Sequence, residues 1–237
     1  LPGAGADRIE TDLAITRDDV IVLMHDRSLD RTTDGRGRVQ SYEYERISQL
    51  DAGSWKGEEF AGERVPTLRE ALEAVDGRAV LNLELKTGSS PTSVNERIYD
   101  GMIALVREYD AFDWVVVSSF DALALTAVRE REPDLRLLLL DYDPPSTNDK
   151  LALAIDFGFW AWSPSAEYIS EERVWRAKEA GMSVHVGASP SSNLAAYAEW
   201  GVDGVSNNDP SILVSALERA GLRPEGGCLE SAGGPPA

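Results

Sequence analysis

The chain has 237 residues and 43% hydrophobic content, enough for one sizeable core, and single (β/α) barrels have about 200 to 250 residues. Its formal net charge of −18 argues against nucleic acid as a partner, because phosphate backbones demand clustered lysine and arginine. The single cysteine, Cys228, excludes an internal disulfide framework and a cysteine metal site. No apolar run reaches the roughly 18 residues of a membrane span. We expect a cytoplasmic protein, unless a signal peptide lies upstream.

Short β-rich runs alternate with helical patterns, which favours βα units around a parallel sheet. The predicted strands are residues 9–15, 20–25, 80–86, 114–118, 135–140, 159–162, 183–186 and 204–207. The predicted helices are residues 68–75, 94–109, 122–131, 171–180, 193–200 and 210–220. Left-handed C-caps are expected at glycines that follow helical runs, namely Gly77, Gly181, Gly201 and Gly221. The sequence predicts one α/β domain over residues 1–222 and a disordered tail over residues 223–237.

The first two predicted strands lie too close together for a crossover helix. Arg17, Asp18 and Asp19 stand between them, so the strands are expected to form an antiparallel hairpin. With Asp18 and Asp19 as a two-residue turn, the register places Asp12 opposite His25.

Strand alternation predicts a group of carboxylates on one face of the sheet. Glu10 and Asp12 share a face of the first strand, and Glu84 shares a face with Asn82 and Lys86, opposite three leucines. In a barrel whose outer face packs on helices, this face points inward, where an unpaired charge is costly. Carboxylates are hard oxygen ligands, so we interpret Glu10, Asp12 and Glu84 as a site for Mg²⁺ or Ca²⁺. A buried ion pair between Glu84 and Lys86 is the alternative.

The two histidines occupy different kinds of position. His25 ends the second strand, level with Asp12 in the predicted register, and an imidazole there can act as a general acid or base because its pKa lies near working pH. A structural histidine at a strand end is the alternative. His185 lies inside a predicted strand, and we interpret it as a core residue.

An ordered set of motifs resembles the blocks of the glycerophosphodiester phosphodiesterase family. The set comprises IETDL at residues 9–13, VLMHD at 22–26, LDRTT at 29–33, DAG at 51–53, RVPTL at 64–68, NLELK at 82–86, SSF at 118–120 and GVDG at 201–204. The order and spacing are those of the family, and the resemblance covers nearly the whole chain.

The resemblance implies a TIM-type barrel that hydrolyses glycerophosphodiesters to an alcohol and glycerol 3-phosphate with a divalent cation. It implies that Glu10, Asp12 and Glu84 bind the metal, that Lys86 contacts the phosphate of a small-molecule phosphodiester, and that His25 is one catalytic histidine. Residues 26–78 would hold a small insertion at the barrel mouth. Two alternatives stay open, namely a lysophospholipase D-like activity and an impaired barrel that binds a phosphate ester without turnover.

Three differences from the family pattern carry further expectations. The family begins with a His-Arg-Gly strand that supplies a second acid–base histidine, and this sequence does not contain it. We therefore expect a barrel lacking its first strand and helix, with a gap beside the strand at residues 9–15 that an upstream segment completes. A family Trp-Thr-Val-Asn is replaced by the run at residues 187–190, where Gly187 predicts a wider pocket, and a family Thr-Asp is replaced by Asn207 and Asn208.

Overall fold

The computed structural model describes residues 5–87, 92–145, 149–189 and 191–222, and the predicted tail lies outside these residues. The elements in chain order are β1 (Arg8–Ile15), β2 (Ile21–Leu23), α1 (Tyr44–Ile47), α2 (Leu68–Val75), β3 (Val80–Leu85), α3 (Thr92–Glu108), β4 (Val115–Ser119), α4 (Ala122–Arg131), β5 (Arg136–Asp141), α5 (Lys150–Asp156), β6 (Ala161–Pro164), α6 (Glu171–Glu179), β7 (Ser183–Gly187), α7 (Leu194–Trp200), β8 (Gly204–Ser206) and α8 (Pro210–Arg219). From β3 onward one helix follows each strand, which is the element order of a (β/α) barrel. The upstream strand and helix stay a prediction.

These elements group into two compact units. The first unit consists of residues 10–77 and 81–115, and the second unit of the remaining described residues. In the first unit the strand order is β2-β1-β3. In the second unit the strands from β4 to β8 lie side by side in chain order, and each neighbouring pair is parallel. The eight predicted strands are confirmed, with ends that differ by one or two residues.

The six predicted helices are confirmed, and the structure adds two short ones, α1 and α5. With four residues, α1 is too short to produce a helical period in the sequence. The one signal that α5 carries is its N-cap, since the Asp149 side chain accepts a hydrogen bond from Ala152 N at 3.3 Å. None of the helices in the described residues combines the length and the apolar character that crossing a membrane requires.

Each unit has its own apolar interior. In the second unit β4 and β5 are buried at every position, as expected for parallel strands that are covered on both faces. In the first unit β2 and the segment that follows it share one core, whose buried members are Val22, Met24, Leu29, Val39, Ile47, Leu50 and Val65. The predicted insertion is therefore packed on the hairpin.

The hairpin of β1 and β2 is confirmed, but its predicted register is wrong. The structure pairs Leu13 with Leu23, and Met24 N donates a hydrogen bond to Asp12 O at 2.9 Å. Asp12 therefore lies opposite Met24, and His25 lies one residue beyond the predicted position.

A three-residue loop causes this shift. Thr16 N donates to Val20 O at 3.0 Å, while the Thr16 hydroxyl accepts from Val20 N at 3.0 Å and donates to Asp18 Oδ1 at 2.6 Å. Asp19, the last loop residue, has a φ of 66°, and three-residue hairpin loops place a residue in this left-handed region. The position holds no glycine, so the sequence carries little sign of the loop length.

Replacing Thr16 with valine should lower the free energy of unfolding by about 1 kcal/mol, because both hydroxyl hydrogen bonds that close the loop are lost. Urea denaturation of the two proteins measures the difference. Thr126→Val is the control, since the Thr126 hydroxyl donates only to a helical carbonyl, that of Ala122. Equal losses in the two variants would show that the Thr16 hydroxyl has no special part in the hairpin.

Candidate metal and catalytic site

Three carboxylates of the first unit lie close together. Glu10, Asp12 and Glu84 each offer one oxygen atom, and these three atoms lie within 4.8 Å of one another. Glu10 and Asp12 belong to β1 and Glu84 to β3, its neighbour in the sheet, so alternation along each strand turns the side chains to one face. The structure thus brings together the three acidic residues that the sequence pattern places on one face.

Two of these three carboxyl groups, Glu10 and Glu84, have a raised pKa. Glu10 is exposed as a residue, yet the protein atoms crowding its carboxyl, followed by the charges of Asp12 and Glu84, raise its pKa to about 7. Desolvation also raises the pKa of Glu84, with Asp12 adding to the effect and Lys86 opposing it. The carboxylates therefore gain from any positive charge placed between them.

Lys86 supplies one positive charge to the group. Its Nζ lies 2.9 Å from Asp12 Oδ1 and 3.7 Å from Glu84 Oε1. The predicted pairing with Glu84 is thus present, but the contact with Asp12 is shorter. With every group ionised, three carboxylates and one ammonium carry a net charge of two negative units.

The group fits a hard divalent cation. Mg²⁺ and Ca²⁺ bind oxygen ligands at about 2.0 to 2.6 Å, so ligand oxygens on opposite sides of one ion stand about 4 to 5 Å apart. The oxygen atoms of Glu10, Asp12 and Glu84 meet this limit, and the set contains neither nitrogen nor sulfur. These residues can hold one such ion, with oxygen chemistry that suits Mg²⁺ or Ca²⁺.

His25 lies just beyond β2, and its side chain is 62% exposed. Its Nδ1 lies 2.7 Å from Asp26 Oδ1. The positive charge of a protonated His25 lowers the pKa of both Glu10 and Glu84 as one of several smaller causes. The imidazole is therefore within electrostatic reach of the acidic group, although it is not opposite Asp12.

His185 has structural surroundings in the second unit. Its Nε2 lies 3.1 Å from the Ser183 hydroxyl and 3.4 Å from an Arg8 nitrogen, and its ring centroid lies 5.5 Å from that of Trp160. Burial, followed by the charges of Arg8 and Lys178, lowers the pKa of His185 well below its ordinary value. A neutral, packed ring agrees with the interpretation of His185 as a core residue.

Gly187 lies beside the hydroxyl group of Tyr142, and the wider pocket that the sequence predicts stays a prediction. A Cβ atom at this position would lie 3.2 Å from the Tyr142 hydroxyl. Tyr142 packs edge-to-face against Phe120, with ring centroids 5.0 Å apart. Tyr142 thus places an aromatic side chain next to Gly187, and its position directly after β5 is the signal that sequence reasoning missed.

Asp26 and Arg31 were also missed, although both lie inside the quoted motifs. Arg31 Nε donates to Asp26 Oδ2 at 2.6 Å, and a second Arg31 nitrogen donates to Asp26 Oδ1 at 2.9 Å. These hydrogen bonds, followed by the one from His25, hold the pKa of Asp26 well below its usual range. The residue beside His25 is therefore a fixed negative charge.

Known proteins resemble this chain over most of its length. The family model of the glycerophosphoryl diester phosphodiesterases matches residues 3–212. A glycerophosphodiester phosphodiesterase of Caldanaerobacter subterraneus subsp. tengcongensis is 32% identical over 219 residues, which are 92% of this chain and 88% of the relative. A glycerophosphodiester phosphodiesterase of Bacillus subtilis is 29% identical over 221 residues, which are 88% of this chain and 75% of the relative.

A solved structure has a similar fold. A phosphodiesterase of Oleispira antarctica, in complex with the product sn-glycerol-3-phosphate, superposes with a TM-score of 0.77 at 27% identity, covering 91% of this chain and 87% of that chain. This likeness confirms the predicted α/β fold of the TIM type. Taken with the match over residues 3–212, it shows that the chain belongs to the glycerophosphoryl diester phosphodiesterase family, whose reaction is the hydrolysis of glycerophosphodiesters.

Proposed function

We propose that the first unit binds one divalent cation, Mg²⁺ or Ca²⁺, through Glu10, Asp12 and Glu84, and that a glycerophosphodiester is hydrolysed there to an alcohol and glycerol 3-phosphate. The observation that carries the proposal is the meeting of three carboxylate oxygens within 4.8 Å, with the Lys86 ammonium beside them. The sn-glycerol-3-phosphate bound as product in the Oleispira antarctica enzyme supports the proposed product.

Lys86 is the proposed cationic contact of the substrate phosphate. Its ammonium has three donors, it contacts Asp12 and Glu84, and its side chain is 25% exposed, so solvent and substrate reach it. A cation at this position stabilises the charge that grows on the non-bridging phosphoryl oxygens. A divalent cation, when bound, adds Lewis-acid polarisation of the same oxygens.

His25 is the proposed proton-transfer residue of this chain. The exposure of its imidazole lets a substrate approach, and Asp26 engages Nδ1, which leaves Nε2 as the nitrogen for proton exchange. Proton transfer by a positioned imidazole accelerates such reactions by about 10² to 10⁴.

Assays of the complete protein with glycerophosphocholine, with a lysophospholipid and with glycerol 3-phosphate test the proposal. We expect cation-dependent release of glycerol 3-phosphate from the first compound. Preferred cleavage of the lysophospholipid would favour the lysophospholipase D-like alternative, for which the position of Tyr142 beside Gly187 provides no support. Binding of glycerol 3-phosphate without turnover of either diester would favour the impaired barrel.

Replacing Glu84 with glutamine should abolish hydrolysis that a chelator inhibits and weaken Mg²⁺ binding at least about tenfold, because one of three charged ligands is lost. Calorimetric titration with Mg²⁺ and product release measure the two effects, and circular dichroism checks the fold. Glu108→Gln is the control, since it removes an exposed carboxylate of the same unit. Turnover at the wild-type rate by the Glu84 variant would contradict the assignment of Glu84 as a metal ligand.

Replacing Lys86 with alanine should lower kcat/KM by about 10- to 100-fold, because a charge that stabilises the transition state is removed. Steady-state kinetics with a glycerophosphodiester measure the loss. Lys178→Ala serves for comparison, since it removes an exposed lysine that pairs with Asp203 in the second unit. If the two variants behave alike, Lys86 is only the structural partner of the carboxylates.

The metal-free protein should lose stability as the pH rises through neutrality. The pKa of Glu10 is about 7 in the folded chain and 4.5 ordinarily, so between these values the folded chain holds a proton that the unfolded chain has released. This contribution to stability is complete below the ordinary pKa and is lost as the pH passes the folded one. Glu10→Gln should therefore match the wild type at pH 5 and exceed it at pH 8, in urea denaturation with chelator present. A difference that stays constant with pH would contradict the shift.

A further inference from the structure

The His25 imidazole is held in place although it is one of the exposed side chains of the site. A side chain that is 62% exposed on a loop samples several rotamers unless specific contacts hold it. One such contact joins His25 Nδ1 to Asp26 Oδ1 at 2.7 Å. Proton transfer demands a fixed nitrogen, so the groups that fix this ring matter for the reaction.

The contact with Asp26 also selects a tautomer. Arg31 donates a hydrogen bond to each carboxylate oxygen of Asp26, at 2.6 and 2.9 Å. These hydrogen bonds lower the pKa of Asp26 far below neutral and keep the carboxylate ionised. An ionised carboxylate only accepts hydrogen bonds. The short contact therefore requires the proton on His25 Nδ1, which leaves the lone pair of the neutral ring on Nε2.

Arg31 is itself supported by a neighbouring loop. Its guanidinium lies over the Trp55 ring, 5.7 Å from the centroid, and Trp55 Nε1 donates to Ala52 O at 2.9 Å. Two parallel hydrogen bonds to one carboxylate are a property that arginine has and lysine lacks. A continuous set of contacts thus runs from the Trp55 loop through Arg31 and Asp26 to His25.

A second arginine, Arg27, joins the loop that contains His25 to the end of β3, the strand of Glu84. Arg27 donates to the carbonyl oxygens of Lys86 at 3.3 Å and of Thr87 at 3.0 Å. These carbonyls follow β3, which contains Glu84. This loop is thereby tied to the end of β3, close to the acidic group.

We propose that Asp26 and Arg31 are positioning residues, which hold the His25 imidazole with Nδ1–H turned to Asp26 and present Nε2 as the nitrogen that exchanges a proton with the substrate. The proposal rests on the proposed function, because it assigns proton transfer to His25. It extends that function by naming the acting nitrogen and the two side chains that select it. An exposed arginine–carboxylate pair with no further role contributes only about 0 to 1 kcal/mol to stability, so structural support alone explains little of this arrangement.

Nitrogen NMR of the imidazole rings tests the proposal without any need for turnover. The chain contains two histidines, so ¹⁵N-histidine labelling yields two rings, and His25→Ala assigns them. At a pH where both rings are neutral, His25 should show Nδ1 protonated and Nε2 unprotonated in the wild type. Asp26→Asn should shift His25 toward a mixture of tautomers, and Arg31→Lys should shift it in the same direction to a smaller extent. Unchanged His25 resonances in both variants would overturn the proposal.

Kinetics provide the second measurement. Asp26→Asn should lower kcat by about tenfold to hundredfold, within the contribution of a positioned general acid or base, and leave KM within about twofold. Glu108→Gln is the matched control, because two Arg69 nitrogens donate hydrogen bonds to the Glu108 carboxylate, as two Arg31 nitrogens do to Asp26. Equal kinetics of these two variants would overturn the positioning role. If the wild type hydrolyses no glycerophosphodiester, the proposed function fails, while the NMR result still decides which tautomer Asp26 selects.

Discussion

The crowding of three carboxylates on one face of β1 and β3 is the constraint on which this site depends. Glu10, Asp12 and Glu84 repel one another, and Lys86 offsets only part of their charge. Desolvation first, and then the charges of Asp12 and Glu84, raise the pKa of Glu10. Such a group destabilises the metal-free fold, because charges held together cannot separate as they do in the unfolded chain. The same repulsion supports the proposed binding of a divalent cation, because a ligand that binds only the folded state stabilises that state.

Buried apolar residues flank His25, the proposed proton-transfer residue. Met24 and Leu29 lie on either side of it in the sequence, and both are buried in the core that β2 shares with the segment after it. The short segment between them is thus anchored at both ends, while Asp26 and Arg31 add polar contacts. This core therefore supports the position of His25.

Gly187 and Tyr142 show how residues far apart in the sequence come to lie side by side in the second unit. Gly187 has no side chain, and the Tyr142 hydroxyl comes within 3.2 Å of the place where one would begin. Tyr142 stands 45 residues earlier in the sequence, so this proximity depends on the arrangement of the strands and not on the local pattern at Gly187.

The sequence by itself determined the strands, six of the eight α-helices in the described residues and the face on which Glu10, Asp12 and Glu84 meet. The alternation of side chains along a strand and the helical period are local properties of the backbone, so they can be recognised in the sequence without knowledge of the fold. Only the tertiary structure decided the hairpin register, which depends on the side-chain hydrogen bonds of Thr16 and on a left-handed residue that is not glycine. It also decided the pairing of Arg31 with Asp26. Side chains in an irregular loop meet according to the path of the backbone and the packing of the core, and neither of these produces a periodic pattern in the sequence.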